Sequence, residues 1–154
     1  MLTIADAVGG CTLFEGLSTR HLEVLTGCGR FERFPAAFMV FREGQPADRF
    51  YVVREGSVAL EVASPERGPI VIQTLGPGDA LGWSWLFPPY RWHMDAVTRG
   101  AVAAIGFDGA CLRAKCDADH ELGYQLMGRF ADLMLRRLMA TRLQLLDVYA
   151  HGSR

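Results

Sequence analysis

The chain has 154 residues, of which 50% are hydrophobic and 21% are charged, and its formal net charge is −1. This composition is typical of a folded domain and excludes a disordered chain, so we expect a single domain over residues 1–154. The near-neutral charge provides no general attraction to nucleic acid or to a membrane surface. Because the sequence has no apolar run of about 18 residues and no secretory signal, we expect a cytoplasmic protein.

Residues 1–30 are predicted to be helical. Ser18 precedes an apolar face that includes Leu22 and Leu25, which is typical of an N-cap residue. Gly27 is predicted to end this helix.

Residues 31–107 have a different pattern, in which short β-branched or aromatic segments are separated by Gly-rich turns. The five predicted strands are 38–41, 49–54, 57–63, 70–75 and 101–106. Regular short strands with such turns predict a sandwich or a small barrel.

Residues 108–150 are predicted to form C-terminal helices, because 119–149 lack Pro and are rich in Leu, Met, Ala, Arg and Gln. One stripe has steps of three and four residues: Phe130, Met134, Leu138, Thr141, Leu145 and Val148. Further apolar residues lie off this stripe, so we expect the helix to pack on its own β-domain and on a second copy, giving a homodimer through residues 119–149. Gly123 and Gly128 are positions at which the helix could break.

The four cysteines are Cys11, Cys28, Cys111 and Cys116. No two of them form a CxxC pair, and no His lies at zinc-finger spacing. We therefore expect four reduced, partly buried thiols and no metal site. An iron–sulfur or redox role is the alternative.

The most informative segment is 76–93 (GPGDALGWSWLFPPYRWH). Within ten residues it places five aromatic side chains: Trp83, Trp85, Phe87, Tyr90 and Trp92. The cation of Arg91 and the imidazole of His93 lie among them. The segment predicts a site for a flat or anionic molecule, whereas the alternative assigns Trp85, Phe87 and Trp92 to core packing.

Five blocks in the chain carry a family resemblance: 41–44 (FREG), 46–48 (PAD), 50–53 (FYVV), 55–58 (EGSV) and 74–79 (TLGPGD). Together with the long C-terminal helix, their order resembles the cyclic-nucleotide-binding domain of Crp/Fnr regulators, protein kinase A regulatory subunits and cyclic-nucleotide-gated channels. The resemblance covers residues 12–148. It implies an antiparallel β-roll of the jelly-roll type, flanked by N-terminal helices and a long C-terminal dimerisation helix. It also implies a short helix inside the roll that presents its N-terminus to the ligand phosphate.

The family's phosphate cassette reads approximately Phe-Gly-Glu-Leu-(Ala/Ser), with a Pro-Arg pair several residues later. Here 81–85 read LGWSW and 90–93 read YRWH. By this resemblance, Gly82 and Ser84 would present backbone N–H groups to an anion, and Arg91 would clamp a phosphate or carboxylate. Arg91 could equally be a surface residue paired with Asp79 or Asp95.

Three cassette positions depart from the family pattern. Trp83 replaces the glutamate that accepts a ribose hydroxyl, and an indole nitrogen can only donate. Trp92 and His93 replace residues that are usually small or hydroxylic. These changes predict altered or lost binding of cyclic AMP, because an unmet hydroxyl contact can cost several kcal/mol.

The candidate ligand-binding residues are Gly82, Trp83, Ser84, Trp85, Arg91, Trp92, His93, Thr141 and Arg142. The last two lie on the long helix, from which family members cap the base of the ligand. The alternative is that Thr141 is an ordinary residue of the dimer interface and that Arg142 is a solvent-exposed side chain. The effector would be a cyclic nucleotide or another small anionic or aromatic molecule.

The sequence contains no nucleophile elbow, no HExxH motif and no Walker A motif, so we do not expect an enzyme. It predicts a non-catalytic effector-sensing domain that signals through a dimer helix to a partner protein. Since the chain stops at Arg154, where the family's transcription regulators continue into a helix-turn-helix domain, direct DNA binding is not expected. Two alternatives stay open: a sensor fragment of a Crp/Fnr-type transcription regulator that still binds a cyclic nucleotide, and a haem sensor using His93 or a redox sensor.

Overall fold

The computed structural model describes residues 1–152 as two four-stranded antiparallel sheets flanked by helices. The helices are α1 (Ile4–Gly9), α2 (Thr19–Gly27), α3 (Gly109–Ala118) and α4 (His120–Gly152). The strands are β1 (Gly29–Phe34), β2 (Met39–Phe41), β3 (Arg49–Glu55), β4 (Val58–Ser64), β5 (Gly68–Leu75), β6 (Ala80–Leu81), β7 (Asp95–Thr98) and β8 (Val102–Asp108). Two 3₁₀ turns lie at Thr12–Phe14 and Ser84–Leu86.

The strand orders are β1-β8-β3-β6 in one sheet and β2-β7-β4-β5 in the other. This arrangement confirms the predicted β-roll with its long C-terminal helix. The five predicted strands are present with shifts of one or two residues at most ends. The three strands that the sequence did not predict, β1, β6 and β7, are charged or very short, so period-two alternation is weak in them.

Strand β3 supplies two hydrophobic cores because its successive side chains point to opposite faces. Phe50 and Val52 pack with the helices outside the roll. Tyr51 and Val53 point into the roll between the sheets. Phe50 is 0% exposed, and burial of such a side chain contributes about 1.5–3 kcal/mol.

The N-terminal helices have side-chain caps. The predicted cap Ser18 is confirmed, since its hydroxyl accepts a hydrogen bond from the His21 amide at 3.2 Å. Helix α1 was not predicted as a separate element, although Thr3 and Asp6 form a reciprocal capping box at its start.

Helix α4 is continuous, so the predicted breaks at Gly123 and Gly128 are wrong. The chain instead breaks at Asp119, between α3 and α4. Gly123 has a packing role, because a Cβ built on it would lie 3.3 Å from Cys116 Cβ. The first half of α4 buries Leu122, Leu126 and Phe130 against the roll, whereas apolar side chains of the second half are exposed. Among residues 1–152, no helix is long and apolar enough to cross a membrane.

The expectation of four reduced thiols is wrong for two of the cysteines. Cys28 and Cys111 form a disulfide with a Cα–Cα distance of 6.0 Å, and 83 residues separate them in the sequence. Cys11 and Cys116 are free. The pairing is a tertiary contact between the end of α2 and the start of α3, which spacing along the chain cannot reveal.

Candidate effector site

The cassette segment leaves strand β6 through a turn that requires glycine. Gly82 has a φ of +90°, a conformation that L side chains rarely adopt. Trp83 follows it, half-buried, and the 3₁₀ turn Ser84–Leu86 begins immediately afterwards. Ser84 and Trp85 are both buried, so the segment is held against the roll.

Trp85 is the anchor of this segment. Its ring stacks on Phe50 with centroids 5.1 Å apart and meets Phe130 edge-on at 5.5 Å. Its carbonyl accepts a 2.6 Å hydrogen bond from Arg113 Nη1 of α3. The indole Nε1 is buried and has no acceptor within residues 1–152. These contacts support the packing alternative for Trp85, whereas Phe87 is 40% exposed and is not a core residue.

Trp92 fills the space above the glycine. It is 6% exposed, and its ring stacks on Phe41 with centroids 3.7 Å apart and planes 8° apart. A Cβ built on Gly82 would lie 2.7 Å from Trp92 Cη2. The indole therefore occupies the volume next to the backbone that would face an anion.

Arg91 lies at the surface. Its side chain is exposed, and Nη1 donates a 2.9 Å hydrogen bond to the carbonyl of Gly44 in the turn before β3. The suggested pairing with Asp79 or Asp95 is wrong. These carboxylates accept hydrogen bonds from the backbone amides of Gly76 and Glu43, respectively.

His93 lies near Ser84, as the sequence alone could not show. His93 Nδ1 is 3.3 Å from Ser84 Oγ, with the imidazole exposed and the hydroxyl buried. No carboxylate forms an ion pair with His93 within the described part of the chain. The contact holds the His93 ring at the start of the 3₁₀ turn.

Arg137 is the contact residue on α4 that the sequence analysis missed. Its guanidinium carbon lies 5.0 Å from the Trp83 ring centroid, and its Nη2 donates to the carbonyl of Ala80. The residue is 8% exposed. Burial lowers the pKa of this guanidinium to about 10, and the Asp79 carboxylate partly opposes that shift.

Thr141 and Arg142 lie one turn or more beyond this contact. Both are exposed, and the Thr141 hydroxyl donates 2.9 Å to the backbone carbonyl of Arg137. The structure therefore brings Arg137, and neither of the two predicted residues, onto the cassette. The Arg-Arg pair at 136–137 was visible in the sequence, but only packing shows which arginine turns inward.

Two cavities flank the cassette, and neither is lined by Gly82 or Trp92. A groove of about 800 Å³ runs between the 77–80 turn and residues 124–136 of α4. A second cavity of about 340 Å³ lies where the 3₁₀ turn meets α3 and α4, with Trp85, Tyr90 and Arg113 among its lining residues.

One cluster has side chains of the types that bind metals: His21, Asp119 and Glu121. Arg20 already donates to Asp119 at 2.6 Å, and His21 Nε2 lies 3.3 Å from the same carboxylate oxygen. Arg20 and His21 of α2 thus share one carboxylate oxygen of Asp119, which joins α2 to the start of α4.

The β-roll, with its short inner turn packed against a long C-terminal helix, defines the fold class of this chain. The chain belongs to one family of that class: the family model for the cyclic nucleotide-binding domain matches residues 31–119.

The relatives agree with this assignment. The chain is 29% identical over 136 residues to the CRP-like cAMP-activated global transcriptional regulator of Mycobacterium tuberculosis, covering 88% of this chain and 59% of the relative. It thus spans about three-fifths of that regulator's length. A solved cyclic nucleotide-binding protein of Geobacter metallireducens superposes with a TM-score of 0.78 at 26% identity, covering 90% of this chain and 99% of that one. The N-terminal domain of a transcriptional regulator from Streptomyces coelicolor superposes with a TM-score of 0.68 at 25% identity, covering 91% of this chain and 95% of that one.

Proposed function

We propose that this protein is a non-catalytic regulatory domain of cyclic-nucleotide-binding fold that does not bind cyclic AMP in the family's usual pose. The observation that carries the proposal is the Trp92 ring, which lies against Gly82 and stacks on Phe41. A ligand phosphate at this backbone would have to displace a buried indole, and burial of such a ring is worth several kcal/mol.

Two further contacts support the proposal. Trp83 offers no acceptor for a sugar hydroxyl, and its ring is covered by the Arg137 guanidinium at 5.0 Å. Arg91, which would otherwise hold the phosphate, donates to the Gly44 carbonyl instead. The sugar-reading position is therefore covered by a contact within the chain, and one donor of the expected anion clamp is already paired.

Isothermal titration calorimetry tests this proposal directly. We expect no heat of binding from cyclic AMP or cyclic GMP up to about 1 mM, and no rise in melting temperature in the same buffers. The double variant Trp83→Glu, Trp92→Ala is the matched gain-of-function test, since it restores the acidic acceptor and removes the ring that lies against Gly82. Micromolar binding of cyclic AMP to the unmodified chain would overturn the proposal.

We further propose that signalling runs through an α4–α4 homodimer to a partner protein. The residues that carry this proposal recur at alternating steps of four and three along the exposed side of α4: Tyr124, Gly128, Ala131, Leu135, Leu138, Arg142, Leu145 and Tyr149. We call this set the α4 seam. Such spacing is the signature of a coiled-coil interface, and Leu135, Leu138 and Leu145 are 50–55% exposed without a partner.

Sedimentation velocity tests the seam. We expect the unmodified chain to sediment as a dimer at micromolar concentration and the double variant Leu138→Glu, Leu145→Glu as a monomer, because buried carboxylates would face each other. The matched control is Val148→Glu, which changes a similarly exposed residue (67%) of α4 outside the seam. The proposed interface is contradicted if the unmodified chain sediments as a monomer, or if the double variant and the control variant have the same oligomeric state.

The second candidate is a sensor portion of a cAMP-responsive regulator. It is favoured by the M. tuberculosis relative, which is named as cAMP-activated. The same calorimetry separates the candidates, because this one requires cyclic AMP to bind the unmodified chain.

A further inference from the structure

The Cys28–Cys111 bond joins two parts of the chain that also meet through backbone contacts. The Asp108 amide donates to the Cys28 carbonyl at 2.9 Å, and the Asp108 carboxylate accepts from the Cys111 amide at 3.0 Å as the N-cap of α3. The two cysteines are thus held next to each other by the β8–α3 junction, whether or not their sulfurs are bonded.

The helix that carries Cys111 also holds the cassette. Two residues after Cys111, Arg113 donates to the Trp85 carbonyl at 2.6 Å and lies over the Tyr90 ring at 4.2 Å. The start of α3 is equally close, since a Cβ built on Gly109 would lie 3.0 Å from Trp85 Cβ. A change in the position of the first turn of α3 would therefore be transmitted to the 84–90 segment.

We propose that Cys28 and Cys111 form a reversible thiol–disulfide modification site whose oxidised form fixes α3 against the cassette. The co-reactant is a low-molecular-weight disulfide. This inference is independent of whether a cyclic nucleotide binds, because it depends on sulfur chemistry outside the roll.

The exchange proceeds in two balanced steps. The Cys111 thiolate attacks one sulfur of the small disulfide, forms a mixed disulfide and releases one small thiolate. The Cys28 thiolate then attacks Cys111 Sγ, which forms the internal disulfide and releases the second small thiolate; both released thiolates take up a proton. Two protein thiols are oxidised and one small disulfide is reduced to two thiols.

The order of attack follows from exposure and position. Cys111 is half-buried in the first turn of α3, so its sulfur is the more accessible of the two to a small disulfide. Cys28 is only 7% exposed and acts as the resolving thiol. Cys11 does not compete, since burial raises the pKa of its thiol to about 11.

Tryptic mapping tests the pairing, because each cysteine falls in a different tryptic peptide: 1–20, 21–30, 100–113 and 116–129. The reduced chain is incubated with glutathione disulfide, free thiols are then blocked with N-ethylmaleimide, and the digest is analysed by mass spectrometry. We expect peptides 21–30 and 100–113 to be linked, and dithiothreitol to separate them. Linkage of any other pair, or glutathione adducts alone, overturns the proposal.

Two measurements on the same samples test whether the disulfide fixes α3 against the cassette. Oxidation is expected to raise the melting temperature by about 5 °C or more. It is also expected to slow amide hydrogen exchange in residues 84–90 by roughly threefold. The variant Cys116→Ser should keep both the rise in melting temperature and the slower exchange, and Cys28→Ser should lose both. Arg113→Gln should keep the rise in melting temperature but lose the slower exchange in residues 84–90. Equal exchange in the oxidised and reduced unmodified chain refutes the coupling even if the bond forms.

Discussion

The guanidinium carbon of Arg137 lies 5.0 Å from the centroid of the Trp83 ring. This contact joins the long helix to the cassette at the position where the family has a sugar-reading acid. Arg137 is nearly buried, and among the ion pairs of residues 1–152 none includes it. The aromatic face of Trp83 partly compensates for the lost hydration of its charge.

A double-mutant cycle should detect this contact. Trp83→Leu and Arg137→Met, singly and together, are expected to give a favourable coupling free energy of about 2 kcal/mol in urea unfolding, because the pair is desolvated. The less buried pair Arg54 and Phe31, at 4.8 Å and with Phe31 40% exposed, is the control. We expect it to couple by less than about 1 kcal/mol, and equal couplings would mean that burial does not strengthen the contact.

Gly82→Ala should be more destabilising than an ordinary substitution at positive φ. We expect a loss of about 2 kcal/mol or more in the free energy of unfolding, because the new methyl group meets Trp92 as well as a strained backbone. Gly44→Ala is the matched control, since its φ is +86° and its Cβ would enter open space; we expect about 1 kcal/mol there. Similar losses at the two sites would place the Trp92 ring elsewhere in solution.

Stability should fall in alkaline solution because of Tyr51. Burial, assisted by the nearby Glu32 carboxylate, raises the pKa of this phenol from 10.0 to about 12. The neutral phenol is favoured in the folded state, so its contribution is fully present below pH 10 and is lost as the pH rises towards 12. Tyr51→Phe should remove up to about 2 kcal/mol of that loss. Urea unfolding at pH 9 and at pH 11.5 measures it, and parallel pH profiles for the two proteins would refute it.

Arg142 is the single charged member of the α4 seam, and a charge at such a position weakens a coiled coil. Arg142→Leu should therefore lower the dimer dissociation constant about tenfold in sedimentation equilibrium. Arg136→Leu is the control, because Arg136 lies outside the seam and pairs with Asp132 at 2.6 Å. If both variants tighten the dimer equally, added hydrophobicity, and not the seam position, is the cause.

Much of the fold could be read from local pattern. Ser18 marks a helix start by its hydroxyl, and the alternation in 57–63 marks a strand, because both signals lie within a few neighbouring residues. Strands β1 and β6 escaped prediction because their pairing partners, not their own residues, define them. The candidate site was harder to predict from the sequence than the fold. The sequence placed Trp83 and Trp92 in the cassette but could not say where their rings point.

By itself, the sequence determined the β-roll class, the long C-terminal helix and the aromatic replacement of the cassette, since each depends on residue type and local spacing. Only the tertiary structure decided that Trp92 fills the space at Gly82, that Arg91 is exposed, that Arg137 is the α4 residue that contacts Trp83, and that Cys28 meets Cys111. These are contacts between residues up to 83 positions apart. Their geometry depends on how the sheets and helices pack, which no local pattern encodes.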